Sequence, residues 1–190
     1  MLHASSGGGH TPRPPLLSET MLPLDLARLS REGSLRIEGE IPPDAPLWEG
    51  TGVHFLGPLR VALKAIEAAS GEVVVRGVIE GTLDQECRRC LEPVKVPLRE
   101  EVTFVFAPPD LLGGEDDGEI RILPPDEDEV DLEGPVREEV ILAAPSFVLC
   151  DPDCRGLCPR CGADLKETTC ECAVEEPDPR WDALRALKNE

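Results

Sequence analysis

From Ser34 onward, hydrophobic positions recur at every second residue. In SLRIEGEI, Leu35, Ile37 and Ile41 share one face, opposite Arg36, Glu38 and Glu40. LRVALKAI repeats the scheme, with Leu59, Val61, Leu63 and Ala65 against Arg60 and Lys64. After Gly71, EVVVRGVIEGTLDQE lines Val73, Val75, Ile79 and Leu83 along one side. VKVPLREEVTFVF does the same with Val94, Val96, Leu98, Val102, Phe104 and Phe106. Successive side chains of a strand point to opposite faces, so this alternation predicts half-buried antiparallel strands. Cys87-Arg88-Arg89-Cys90 lies between the last two runs and is expected to cap a β-hairpin.

Helical signals are fewer. Leu22–Ser30 (LPLDLARLS) fits either the start of a strand or a short helix. Asp131 is placed to cap a helix whose first turn admits Pro135, whose apolar side is Leu132, Val136 and Val140, and which Pro145 stops. Asp178 and Pro179 open a last helix with a Trp181, Leu184 and Leu187 stripe, too short to hold alone in water and expected to dock on the domain. The Gly-, Ser- and Pro-rich lead is expected to be disordered. The acidic stretch after Pro108 holds ten acids between Glu115 and Glu133. It reads as a solvated loop, with an acidic tether for a basic ribosomal protein, or a decoy of nucleic acid, as the sharper reading.

These elements predict an α+β protein: an antiparallel β-sheet or partly closed barrel, one or two packing helices, and a zinc-stapled C-terminal tail. The division expected is a disordered extension at 1–21, a β-rich domain at 22–149 with its acidic loop at 108–130, and a cysteine-rich tail with the C-terminal helix at 150–190.

Charge narrows the function. The 190 residues hold 38 acids against 19 bases, a net charge of −19, so bulk attraction to phosphate is excluded and any nucleic-acid contact needs a local basic patch. Aromatic residues make up only 3%, which disfavours sequence-specific binding of single strands by stacking. No apolar run is long enough to span a membrane, and no export signal is seen, so a reducing cytoplasm is expected.

In that compartment eight cysteines point to metal rather than to disulfides. Cys158-Pro159-Arg160-Cys161-Gly162 reads as a zinc knuckle: the two-residue spacer turns both thiolates toward one ion, and Gly162 permits a left-handed turn after the second. Cys170 and Cys172 supply a nearby second pair, completing a first site. Cys87, Cys90, Cys150 and Cys154 remain. They either form a second site that joins the hairpin tip to the entry of the tail, or stay as buried thiols behaving as small hydrophobes. One zinc ion is expected at the first site, and two if the second site forms. Arg88, Arg89, Arg155 and Arg160 sit within or beside the cysteine pairs. They read both as an RNA- or partner-contacting face and as neutralising charge for thiolates.

Catalysis is not supported. A redox-active CxxC needs a helix N-terminus to lower the first thiol's pKa, whereas Cys87 and Cys90 have strand-like flanks. His3 and His10 fall in the lead and His54 stands alone, with no triad, phosphate loop or dinucleotide fingerprint. A non-enzymatic protein without a small-molecule substrate is expected.

The hairpin tip C87-RRC-LEPV, the segment C154-RGLCPRCGADL with C170-E-C172, and the ending DPRWDALRAL resemble the YceD family of bacteria. The resemblance covers roughly residues 23–188. It implies a cytoplasmic, non-enzymatic factor that supports accumulation of 23S rRNA and large-subunit assembly, with a ribosomal large-subunit precursor (rRNA or a ribosomal protein) as its partner. A zinc- or redox-responsive regulator that binds a protein is the alternative class.

Overall fold

The computed structural model describes residues 22–111, 120–123, 127–172 and 180. The period-two segments form the strands β2 (Ser34–Ile41), β3 (Leu59–Glu67), β4 (Val73–Glu86) and β5 (Pro93–Ala107), following β1 (Pro23–Asp25) and α1 (Leu26–Glu32). Three shorter elements come after them: β6 (Ile120–Ile122), β7 (Glu129–Asp131) and α2 (Glu133–Ala143). The fold is α+β, with β2-β3-β4-β5-β6 in one sheet and β1-β7 in another. All ladders are antiparallel except β5–β6, which is parallel.

Most residues assigned to the inner face by alternation are buried in the core; Val94 and Val96, on the part of β5 that outruns β3, are only half-buried, and Val94 packs against the cysteines instead. Leu59, Ala65, Val75, Ile79 and Leu83 are fully enclosed, and Leu132, Val136 and Val140 bring the buried side of α2 into the same cluster. Where β3 and β4 pair, Gly77 is required by contact: a Cβ there would lie 2.0 Å from the Ala62 carbonyl oxygen.

Of the two forms expected, sheet or partly closed barrel, the sheet is present and the barrel does not form. The sheet is open, and its long β4–β5 ribbon runs beyond the end of β3, whose ladder stops at Glu80. A ribbon that leaves the sheet cannot curl to meet β2. Segment 54–56 borders this extension instead, through a Phe55–Leu83 bridge and backbone bonds between Leu56 and Thr82 and between Asp84 and His54.

Three further readings change. Leu22–Ser30 is not strand or helix but both in succession, because the Asp25 side chain caps α1 by accepting from the Arg28 amide and Gly33 ends it at φ 73°. The acidic stretch is not all loop. Ile120–Ile122 and Glu129–Asp131 form β6 and β7, anchored by buried Val130 and by an Arg121–Glu138 ion pair of 2.6 Å. Asp131 stands one residue ahead of the cap of α2, which is Leu132, and its carboxylate accepts from the Glu133 amide. The expected disordered lead, the rest of the acidic loop and the last helix fall outside the described residues, apart from Arg180.

Candidate metal centre

The extended ribbon carries Cys87 and Cys90 in the turn between Glu86 and Pro93. The turn closes when the Leu91 amide donates to the Cys87 carbonyl (2.9 Å) and the Cys87 amide to the Glu92 carbonyl (2.8 Å). Leu91 is left-handed at φ 63°. The tail repeats these bonds one for one. The Gly162 amide donates to the Cys158 carbonyl (2.9 Å), the Cys158 amide to the Ala163 carbonyl (2.8 Å), and Gly162 has φ 73°. Two Cys-x-x-Cys knuckles of one design therefore lie 71 residues apart (158 − 87), one with glycine at the left-handed position and one with leucine.

Each knuckle meets a second cysteine pair. Cys87, Cys90, Cys150 and Cys154 form one quartet and Cys158, Cys161, Cys170 and Cys172 the other, with all sulfurs of a quartet within 4.8 Å of one another. A tetrahedron with Zn–S of about 2.3 Å puts its sulfurs about 3.8 Å apart. The separations bracket that value: 3.8 Å for Cys87–Cys154, 3.5 Å for Cys90–Cys150, 3.5 Å for Cys161–Cys170 and 3.3 Å for Cys158–Cys170. Either quartet can hold a metal ion. In the first, three of the four cysteines are buried; in the second, only Cys158 is.

The electrostatics favour a cation. Burial pushes the Cys87 thiol up, but backbone amides of Cys150, Cys90 and Arg89 override it and hold the thiol down at about 6. Amides of Cys161 and Arg160 do the same for Cys158, also to about 6. The companions resist ionisation. Hydrogen bonding to Cys90, then burial, pushes Cys150 up to about 12, and bonding to Cys170 and Cys161 pushes Cys172 up to about 12. One thiolate forms readily in each quartet, and further negative charge beside it needs a positive ion.

The four arginines singled out beside the cysteines have different surroundings. Arg89 donates to the carbonyls of Cys154 (2.7 Å) and Pro152 (3.3 Å), and its own carbonyl accepts from Leu157 (3.0 Å). The Arg88 guanidinium donates to the Ser146 carbonyl (3.2 Å), and its amide to that of Val148 (2.8 Å). Arg89 thus joins the ribbon tip to the tail and Arg88 joins it to the segment that leads from α2 into the tail, while both remain exposed. Arg155 and Arg160 lie exposed on the tail itself.

Two residues that residue type and spacing did not single out complete the join. Gly156, at φ 74°, packs so closely on the ribbon that a Cβ would lie 2.7 Å from the Arg89 carbonyl oxygen. Lys166, from the loop of the second quartet, pairs with Glu92 and lies 3.9 Å from the Cys150 sulfur. Glu92, ahead of other groups, raises the Lys166 pKa and keeps it cationic beside the first quartet. Its sequence signal is a single cation between Asp164 and Glu167 in the loop from Cys161 to Cys170.

The family described as Large ribosomal RNA subunit accumulation protein YceD matches residues 75–188. An uncharacterized protein of Mycobacterium tuberculosis is 32% identical over 163 residues, which cover 85% of this chain and 78% of that one. A protein of Arabidopsis thaliana named Large ribosomal RNA subunit accumulation protein YCED homolog 1, chloroplastic, is 26% identical over 160 residues, covering 70% of this chain and 49% of its own. Its namesake from Zea mays is 25% identical over 183 residues, covering 82% and 62%. No solved structure matches. No helix among the described residues is long and apolar enough to cross a membrane.

Proposed function

The chain belongs to the YceD family, and from that membership we propose that it is a non-enzymatic factor of large-subunit assembly, supporting the accumulation of 23S rRNA in the cytoplasm. The carrying observation is the family match over residues 75–188, joined to the names of the plant relatives. The partner is a precursor of the large subunit, met through its rRNA or through a ribosomal protein. Arg88, Arg89, Arg155 and Arg160 offer positive charge for that contact at the cysteine-bearing end.

Each quartet holds one zinc ion in this reading. Four thiolates suit a soft divalent cation, and a closed four-sulfur shell leaves no open position for substrate, which is the character of a structural site. The ion's contribution is charge compensation and crosslinking. The residues around it do the positioning: the knuckle amides stabilise thiolate at Cys87 and Cys158, and Lys166 adds positive charge beside Cys150.

Sedimentation of cell lysates, with and without the gene, tests the function. The protein is expected to travel with large-subunit precursors, and its deletion to lower 23S rRNA relative to 16S. No comigration together with unchanged 23S rRNA overturns the reading.

A further inference from the structure

The outer face of the main sheet carries a pattern that the metal centre does not use. Four residues stand in register across it: Arg36 on β2, Lys64 on β3, Arg76 on β4 and Thr103 on β5. All four are exposed. Like charges directly opposite each other on neighbouring strands are unfavourable, and here three meet in one line. None of the three cations makes an ion pair among the described residues.

Another row of the same face shows the alternative this chain also uses. Glu40, Arg60, Glu80 and Arg99 stand in register with alternating sign, and Glu80 pairs with both arginines. In the row between, Glu38 and Glu101 stand exposed at the two ends, yet neither pairs with the three cations. Beside Lys64 and Arg76, an apolar hollow of about 360 Å³ is floored by Ile66, Ala68 and Val74.

We propose that the Arg36–Lys64–Arg76 row is a binding surface for the phosphate backbone of RNA. This rests on the ribosome-assembly reading and gives it a site. Neighbouring strands lie about 4.8 Å apart, so the three cations form a line roughly 10 Å long at its base. That line spans consecutive phosphates of one strand. The face has no aromatic side chain to stack a base, so it contacts backbone and is indifferent to sequence. It supplies the local basic patch that a chain of net charge −19 needs in order to approach RNA.

Fluorescence anisotropy of the full chain with a labelled 20-nucleotide oligouridylate, titrated from 50 to 200 mM salt, provides the test. Arg36→Gln/Lys64→Gln/Arg76→Gln is expected to weaken binding at least tenfold at low salt and to flatten the slope of log K against log salt by about 2, the value for three single-strand phosphates. The control Arg28→Gln/Arg60→Gln/Arg99→Gln removes the same net charge and is expected to change affinity less than threefold. The row variant is expected to melt no lower than wild type, since it removes like-charge repulsion. Equal loss in both triples overturns the proposal, as does unlabelled polyglutamate displacing the RNA at equal phosphate and carboxylate concentrations. In lysates, a row variant that still comigrates with precursors overturns this site alone. A wild type that does not comigrate overturns the function beneath it.

Discussion

The two cysteine quartets share a knuckle design and differ in what they close. The first joins Cys90 to Cys150 across 60 residues and sits against the ribbon, largely buried. The second lies within residues 158–172, mostly exposed, and closes only its own loop. The same chemistry therefore does two jobs. One site ties the tail to the sheet through Arg88, Arg89 and Gly156; the other shapes the loop that delivers Lys166 to the first.

The largest expected contrast comes from removing one site at a time. In the chain-entropy treatment, a crosslink closing a loop of about 60 residues stabilises by about 4 kcal/mol, which converts to a fall in Tm of roughly 8–16 °C for a protein this size. Cys87→Ser/Cys90→Ser is expected to show that fall by calorimetry. Cys170→Ser/Cys172→Ser is expected to leave the main transition within about 4 °C and to raise amide exchange only in residues 155–172. Equal falls for the two variants would erase the distinction between staple and local loop.

A smaller effect is expected at Gly156, where alanine meets both a left-handed φ and the Arg89 carbonyl. Gly156→Ala should cost about 2 kcal/mol and speed amide exchange at the ribbon tip, with both ions retained.

Protons separate the quartets from ordinary thiols. In the metal-free chain, Cys87 and Cys158 have depressed pKa values, so their contribution to stability is present above the unfolded thiol pKa and lost as pH falls through about 6. Cys150, Cys154, Cys170 and Cys172 are raised and contribute in the opposite sense, below the unfolded pKa. At pH 7 those four enter as thiols. Loading both quartets with zinc should release at least four protons, read from the buffer dependence of the calorimetric enthalpy. Release of fewer than two would contradict the thiol assignment.

The smallest effect concerns the two knuckles' left-handed residues. Leu91 occupies the conformation that glycine fills at 162 and is exposed. Leu91→Gly should stabilise the turn by up to about 1 kcal/mol, a Tm rise of a few degrees. Gly162→Leu should move it the other way.

Much of this arrangement was legible in the residues. Period-two alternation depends on the strand backbone alone, which is why Val73, Val75, Ile79 and Leu83 mark the inner face so cleanly. The turn at Cys87–Cys90 follows from two such runs meeting. Cysteine arithmetic grouped Cys158, Cys161, Cys170 and Cys172 and left the other four between a second site and buried thiols; the structure gathers each four. The three-residue strands β6 and β7 were hidden, because Ile120–Ile122 and Glu129–Asp131 are too short for a period and sit in an acidic stretch whose composition reads as loop. The choice between sheet and barrel was hidden as well, since closure depends on how far β4 and β5 outrun β3. Cross-strand register was likewise beyond a linear reading: Arg36, Lys64 and Arg76 are unremarkable until pairing aligns them.

Native mass spectrometry of the zinc-loaded chain tests the central claim, that two separate quartets each hold an ion. The wild type is expected to carry two zinc ions, and both Cys87→Ser/Cys90→Ser and Cys170→Ser/Cys172→Ser to carry one. A single ion in the wild type, retained in either double variant, would contradict it.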